Sequence, residues 1–276
     1  MVPDITQPRS TPKSIVKLPR GIVNLGNTCF ASASIQLLLS VYNFLQLGNN
    51  NAFSCVLDRT ICDLKAITKT PLYPILLLAE VRKVSNCFTE NSFQDAHEFL
   101  LSLVMNSNCE KFFISVITTL TCQNCKFASK SHEQLLGIQL VVESNLVDSL
   151  ALQFQDTEVD WHCSNCSVPS VAQKSSTLLE LPGVLLFHLK RFRSTPNSVK
   201  KITSSFEFPL ANLQFHGQSY NLAAVVNHHG SVSSGHYTAS ICCDDQWFLC
   251  DDDKVSMIDT RSVVSFNAYL LAYRPV

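Results

Sequence analysis

The sequence has few charged residues and almost no net charge. Asp, Glu, Lys and Arg make up 16% of the 276 residues, and the formal net charge at pH 7 is −1. Nucleic-acid-binding domains usually carry a basic patch or stripe, and no such pattern is present. The sequence also lacks a run of about 18 apolar residues, which a membrane-spanning helix requires. We therefore expect neither a nucleic-acid partner nor insertion into a membrane.

A secretory signal is also missing, because residues 1–20 contain no apolar run. We therefore expect residues 1–20 to form a flexible tail on a soluble protein of the cytoplasm, the nucleus or both. Disulfides are rare in those compartments, so the twelve cysteines are expected to bind metal, to act in catalysis or to pack in the core. Seven of them are predicted to be small buried hydrophobic residues: Cys55, Cys62, Cys87, Cys109, Cys242, Cys243 and Cys250.

The hydrophobic pattern changes from helical to strand-like near residue 110. Apolar spacing predicts a helix over residues 29–45, weaker helices over 55–68 and 73–83, and a strong helix that begins at Ser92 and carries Phe93 on its apolar stripe. Segments rich in Val, Ile, Leu and Phe follow and predict strands. We expect one catalytic unit of the α+β class, with a helical N-terminal lobe and a β-rich C-terminal part. The clearest predicted strands are 113–121, 135–142, 178–192, 220–227, 236–243, 246–250 and 268–274.

Two C-x-x-C pairs predict a metal site. Cys122 and Cys125 form the first pair, and Cys163 and Cys166 form the second. Four thiolates suit tetrahedral Zn²⁺ in a closed structural site. Two disulfides, or four thiols without metal, are the alternatives.

A nucleophile, a base and a carboxylate can be proposed from local sequence. Cys29 follows a turn rich in Gly and Asn and opens a predicted helix, where the helix dipole favours the thiolate. His236 precedes a strand, and a hairpin would bring one carboxylate of the run Asp251–Asp253 beside it to fix the tautomer of its ring. The alternatives are a buried structural cysteine, a structural histidine and an acidic turn.

Taken together, these features resemble the ubiquitin-specific proteases, a large family of papain-like deubiquitinases. The resemblance covers about residues 21–275, and six segments carry it in the family's order. They are Gly21-Ile-Val-Asn-Leu-Gly-Asn-Thr-Cys29-Phe, Ser92-Phe-Gln-Asp-Ala-His-Glu-Phe-Leu100, the strand Leu185–Phe192, the stretch from Tyr220 to Thr238 with Ser234-Gly-His-Tyr-Thr238, the segment Trp247–Val255, and Ala268-Tyr-Leu-Leu-Ala-Tyr273.

The resemblance implies roles for particular residues. By position, Cys29 is the nucleophile, His236 is the base and Asp251 is the carboxylate that orients the base. Asp252 is a possible further contributor, and Asn24 would donate to the oxyanion.

It also implies a way of binding substrate. Asp95 would pair with an arginine in the tail of ubiquitin, and Phe192 and Tyr237 would line the channel for that tail. Ubiquitin and ubiquitinated proteins are the implied partners, and Zn²⁺ is the implied structural cofactor. The implied fold has a thumb over about residues 21–110, zinc-bearing fingers over about 111–180 and a palm over about 181–276.

The chain departs from the family pattern after the nucleophile. The family commonly has Tyr-Met-Asn there, and this chain has Phe30-Ala31-Ser32. The predicted activity is hydrolysis of the isopeptide bond at the C-terminal glycine of ubiquitin. A protease for a ubiquitin-like modifier and a catalytically inactive ubiquitin-binding scaffold are the alternatives, and a zinc-ribbon interaction protein leaves the predicted triad unexplained.

Overall fold

The computed structural model describes residues 18–45, 47, 51–66, 68–195, 198–232 and 234–276. Most of the predicted N-terminal tail, residues 1–17, therefore lies outside the described residues. No helix in the described part of the chain is both long enough and apolar enough to cross a membrane. Its helices are α1 (Cys29–Leu45), α2 (Ala52–Leu64), α3 (Ile75–Val84), α4 (Ala96–Asn106) and α5 (Leu146–Gln153), with two short 3₁₀ turns at Glu110–Phe112 and Thr260–Ser262.

Helix α1 lies at the centre of the molecule. It spans the range predicted from its apolar spacing, and it is buried on nearly all sides. It packs against α4 and against the strands β10 (Gln218–Gly230) and β11 (Gly235–Cys243). A helix that is apolar all round requires such an enclosed position. Burial of α1 fixes the place of Cys29, because Cys29 is its first residue.

Helix α4 begins later than predicted. The predicted start at Ser92 is wrong, because Asp95 is the N-cap and its carboxylate accepts hydrogen bonds from the backbone amides of His97 and Glu98. The Ser92 hydroxyl instead bonds to the Thr89 carbonyl, before the helix. Phe93 consequently lies outside the helix with its side chain exposed.

Most strands belong to two sheets. Besides β10 and β11, the strands are β1 (Phe113–Cys122), β2 (Ala128–Leu136), β3 (Ile138–Leu140), β4 (Thr157–His162), β5 (Pro169–Glu180), β6 (Leu185–Leu189), β7 (Phe192–Thr195), β8 (Ser198–Lys201), β9 (Leu213–Phe215), β12 (Gln246–Asp251), β13 (Lys254–Ile258) and β14 (Ala268–Pro275). The larger sheet has the order β13-β12-β11-β10-β14-β6-β3 with β9 paired to β10, and the smaller has the order β2-β1-β5-β4. Pairing is antiparallel except between β3 and β6, which run parallel. Apolar side chains cover both faces of the large sheet, and the helices pack on one of these faces.

Two predicted strands are interrupted. The stretch 135–142 is divided between β2 and β3 at Gly137, whose φ of +67° favours glycine. The stretch 178–192 contains the end of β5, the whole of β6 and the start of β7. Strand β4 and most of β2 were missed because their largely exposed, polar side chains do not alternate clearly with apolar ones.

The predicted burial of the seven cysteines outside the C-x-x-C pairs and the nucleophile position is confirmed only in part. Cys109, Cys242 and Cys250 are buried as predicted, and Cys243 is partly buried. The prediction is wrong for Cys55, Cys62 and Cys87, which are exposed. Each lies on the polar side of its helix or in the turn after α3.

Within the range predicted as fingers, β3 belongs to the large sheet, so residues 111–180 contribute to both sheets.

Candidate active site

The Cys29 thiol lies at the N-terminus of α1 and is almost fully buried. Burial raises the pKa of this thiol, and a hydrogen bond to the backbone of Tyr237 opposes the rise. Tyr237 directly follows His236, so the start of β11 lies against the sulfur. Within the described residues, no hydrogen bond joins the thiol to the His236 ring, and the uncharged thiol is favoured in this conformation.

The turn before Cys29 is fastened to the acidic run. The side-chain amide of Asn24 donates to Asp252 Oδ2 at 2.8 Å, and its Oδ1 accepts from the backbone amide of Thr28 at 3.0 Å. The backbone amide of Ile22 donates to the Asp252 carbonyl at 2.8 Å. Gly21 permits this contact, because a Cβ there would overlap the Asp253 backbone.

His236 and Asp251 are brought together by the hairpin of β11 and β12. The ring Nε2 of His236 lies 2.6 Å from Asp251 Oδ1. This contact occupies Nε2, so Nδ1 is the ring nitrogen left to exchange a proton with a thiol. Asp252 completes a cluster in which one ligand atom from each of the three residues lies within 4.8 Å of the others.

The two carboxylates therefore have different neighbours. Asp251 contacts the predicted base, whereas Asp252 contacts Asn24, the predicted oxyanion donor. Burial raises the pKa of Asp252, and its Oδ1 is buried without a hydrogen-bond partner in the described structure. Local sequence did not distinguish the two adjacent carboxylates, whereas the resemblance assigned Asp251 to His236; the contact of Asp252 with Asn24 was not predicted.

A cleft of about 320 Å³ opens beside the thiol. Phe192, Tyr237 and Asp95, the three residues predicted to bind substrate, all line it, and Glu98 adds a second carboxylate. Asp95 Oδ2 accepts hydrogen bonds from Tyr237 at 3.2 Å and from Tyr269 at 2.5 Å. The cleft thus offers aromatic walls and negative charge, which suit an extended peptide carrying a basic side chain.

Histidines close to Asp95 are held neutral by burial. His97 and His188 stack with ring centroids 4.0 Å apart. Burial lowers the pKa of His188 to about 3 and that of His228 to about 4, and also lowers the pKa of His97. These imidazoles therefore do not neutralise Asp95 at neutral pH.

Several residues of the cleft were missed from the sequence. His228 and Val232 lie at the end of β10 and just beyond it, and Phe93 precedes α4. Tyr269 is connected to the cleft by the hydrogen bond that its hydroxyl donates to Asp95. His228 and Tyr269 fall inside segments that carry the resemblance, and that position was the one available signal for them.

The four cysteines of the two C-x-x-C pairs lie together, with their sulfur atoms all within 4.8 Å of one another. Cys125 and Cys163 are 3.6 Å apart, and Cys122 and Cys166 are 4.0 Å apart. A tetrahedral zinc site with Zn–S bonds of about 2.3 Å has edges of roughly 3.8 Å. The four thiols therefore fit a metal ion of the size and geometry of Zn²⁺.

The two halves of this cluster share one backbone geometry. In the first, the amide of Lys126 donates to the Cys122 carbonyl at 3.0 Å, and in the second the amide of Ser167 donates to the Cys163 carbonyl at 2.8 Å. Lys126 and Ser167 both have positive φ, +60° and +54°. Among the described residues, His162 is not part of the four-cysteine cluster or of the cluster of His236, Asp251 and Asp252. The arrangement is a pair of matching turns with a closed four-sulfur set.

Comparison with known proteins agrees with this geometry. The profile of the ubiquitin carboxyl-terminal hydrolase family matches residues 20–273. Ubiquitin carboxyl-terminal hydrolase 20 of Arabidopsis thaliana is 28% identical over 96% of this chain and 44% of its own length. Ubiquitin carboxyl-terminal hydrolase 51 of Mus musculus is 27% identical over 92% of this chain and 50% of its own length. The chain thus spans about half the length of these curated relatives.

A solved structure shares the fold. The SAGA Ubp8/Sgf11/Sus1/Sgf73 DUB module bound to ubiquitin aldehyde contains a chain that matches with a TM-score of 0.77 and 25% identity. The match covers 97% of this chain and 72% of the other. The predicted α+β, papain-like fold with thumb, palm and fingers is confirmed. The chain belongs to the ubiquitin carboxyl-terminal hydrolase family, as one of its ubiquitin-specific proteases.

Proposed function

We propose that this chain is a thiol-dependent deubiquitinase that hydrolyses the isopeptide bond at the C-terminal glycine of ubiquitin. The observation that carries the proposal is the contact of His236 with Asp251 at 2.6 Å. His236 is also next in sequence to Tyr237, whose backbone contacts the Cys29 sulfur. A nucleophile, a base and a group that orients the base are the parts that acyl transfer by a thiol requires.

The first step is formation of the acyl-enzyme. His236 Nδ1 takes the Cys29 proton, and the thiolate attacks the carbonyl carbon of the terminal glycine. The new C–S bond places negative charge on the carbonyl oxygen. The tetrahedral intermediate then collapses, the C–N bond breaks, and His236 returns the proton to the leaving lysine amine.

Stabilisation of the oxyanion falls to the turn before the nucleophile. The backbone amide of Cys29 and the side chain of Asn24 are the proposed donors, and each such donor contributes about 3 kcal/mol in well-studied enzymes. Asn24 can act in this way because Asp252 and Thr28 hold both ends of its amide. Water then attacks the thioester with His236 as base, which releases ubiquitin and restores the thiol.

Specificity for ubiquitin is proposed to come from the cleft. Asp95 and Glu98 supply negative charge beside the aromatic walls, and the neutral histidines leave that charge available to a basic side chain. The related SAGA module is bound to ubiquitin aldehyde, a ligand that ends where the proposed scissile bond lies. Ubiquitinated proteins are accordingly the proposed partners.

Zinc is proposed to be a structural cofactor. Cys122 ends β1 and Cys125 lies just after it, while Cys163 and Cys166 follow β4, so one ion would join the ends of strands that are not neighbours in the small sheet. Bound Zn²⁺ would supply cross-linking and no chemistry at Cys29, because four thiolates leave no open position for substrate.

The proposal is tested by turnover of matched substrates. Ubiquitin and ubiquitin-like modifiers, each carrying a C-terminal fluorogenic amide, are incubated with the wild-type chain and with Cys29→Ala. We expect release of the fluorophore from ubiquitin by the wild type alone. Release from another modifier but not from ubiquitin would show that the substrate is that modifier. Turnover by Cys29→Ala would reject Cys29 as the nucleophile.

A further inference from the structure

The last residues of β10 lie where the neighbouring strand of the large sheet has ended. Strand β14 begins at Ala268, and its pairing with β10 reaches no further than Asn227. Strand β10 continues through His228 to Gly230 and pairs there with β11 on its other side. Its backbone groups that point towards β14 therefore need other partners.

Lys201 supplies two of those partners. Its ammonium group donates to the His228 carbonyl at 2.5 Å and to the Gly230 carbonyl at 3.1 Å. The amide of His228 donates to the carbonyl of Asn267 at 2.8 Å. The bonded carbonyls are two residues apart, as expected for groups on one edge of a strand. One lysine side chain thus continues the sheet edge where β14 is absent.

This part of β10 is in direct register with the predicted base. His229 lies opposite His236, and Gly230 lies opposite Gly235. The His228 ring also rests on the backbone of Gly235, where a Cβ would overlap it. Any displacement of residues 228–230 is therefore passed to the first residues of β11, which include His236.

A buried arginine holds Lys201 itself in place. Lys201 lies opposite Phe192 in the two-stranded hairpin of β7 and β8. Arg191, fully buried at the base of that hairpin, donates to the carbonyls of Ile202 and Ala268 at 3.1 and 2.5 Å. The hairpin is thereby attached to the start of β14, which keeps the ammonium group at a fixed distance from β10.

We propose that Lys201 is a positioning residue for catalysis, which keeps the end of β10 in register with β11 and so holds His236 in place. The proposal rests on the function proposed above, since it assigns His236 the role of base. Lys201 touches neither the thiol nor the cleft, and it acts through the carbonyl groups of His228 and Gly230.

The test compares Lys201→Met, which keeps the length of the side chain but not its charge, with Lys201→Arg and with Lys200→Met. Lys200 is the matched control, because it is the exposed neighbour on the same strand. Steady-state kinetics on the ubiquitin fluorogenic amide give kcat and KM for each variant. Hydrogen–deuterium exchange of the peptide covering residues 228–237 reports the strand pairing without any substrate.

We expect Lys201→Met to lower kcat by about 10-fold with KM changed less than about twofold, because a misplaced base slows chemistry more than binding. Exchange over 228–237 should rise in the same variant. Lys201→Arg should recover most of kcat, and Lys200→Met should match the wild type in both measurements.

Three results would overturn the proposal: wild-type kcat in Lys201→Met, an equal loss in Lys200→Met, or a loss in Lys201→Met with no change in exchange. If the wild type itself does not cleave the ubiquitin amide, the proposed function fails. Exchange alone then decides whether Lys201 holds the strand end, and unchanged exchange would reject it.

Discussion

Replacing Asp251 by Asn should reduce turnover by a magnitude that the structure allows us to estimate. The change removes the charge of the carboxylate that lies 2.6 Å from His236 Nε2, and it keeps the size of the side chain and one acceptor oxygen. The imidazolium that forms when Cys29 is deprotonated then loses its ionic partner. The transition state should suffer from this loss, because the proton that leaves Cys29 is carried by His236 there.

The expected magnitude follows from the exposure of the pair. Hydrogen bonds to charged groups contribute about 1.5–3 kcal/mol. The His236 and Asp251 side chains are 40% and 48% exposed, so water screens the pair and the lower end of the range applies. About 1.5 kcal/mol corresponds to a decrease of about 10-fold in kcat.

The assay is the steady-state rate on the ubiquitin fluorogenic amide, with Asp253→Asn as the matched control. Asp253 belongs to the same acidic run and is exposed, so its replacement removes one nearby charge without touching the base. We expect wild-type kcat for Asp253→Asn. A wild-type rate for Asp251→Asn, or equal losses in the two variants, would refute the assignment of Asp251 as the group that orients the base.

Two further predictions concern the other carboxylate and the cysteine cluster. Burial raises the pKa of Asp252 in the folded chain, so the folded state binds the proton more tightly than the unfolded state, and ionisation of Asp252 costs stability as pH rises through that raised pKa. Asp252→Asn should therefore raise Tm at pH 7. It should also lower kcat, because the Asn24 amide loses its charged hydrogen-bond acceptor. A lower Tm by calorimetry, or an unchanged kcat, would contradict the proposed role of Asp252. Cys163→Ser should lower bound zinc from about one ion per chain to well below one, measured by elemental analysis, and should lower Tm by several degrees because four ligands form the site. Full zinc content in that variant, with Cys55→Ser as control, would exclude the four-sulfur site.

The helices before residue 110 and the central strands were predictable because burial and periodicity agree there, whereas helix α5 was not predicted. Helix α1 is enclosed on nearly all sides, so its apolar residues mark its full length. The start of α4 was not predictable from spacing, because Ser92 and Asp95 are both good N-caps and tertiary contacts decide between them. Strands β2 and β4 gave no periodic signal, since water covers much of both faces.

Within the site, residue types were easier to predict than their contacts. The order of motifs placed Cys29, His236 and the acidic run in one constellation. The resemblance assigned Asp251 to His236, but it did not reveal that Asp252 contacts Asn24, because that contact depends on the turn at Asp252, whose φ is +52°. Lys201 gave no sequence signal at all, since its role arises from the point at which β14 begins.

We propose Cys29 as the nucleophile of a ubiquitin-directed protease. The most direct measurement is the intact mass of the chain after incubation with ubiquitin that carries a thiol-reactive group at its C-terminus, followed by mapping of the modified peptide. We expect one ubiquitin per wild-type chain, attached at Cys29, and no adduct with Cys29→Ala. An adduct on another cysteine, or an adduct on Cys29→Ala, would contradict it, as would failure of the wild type to react.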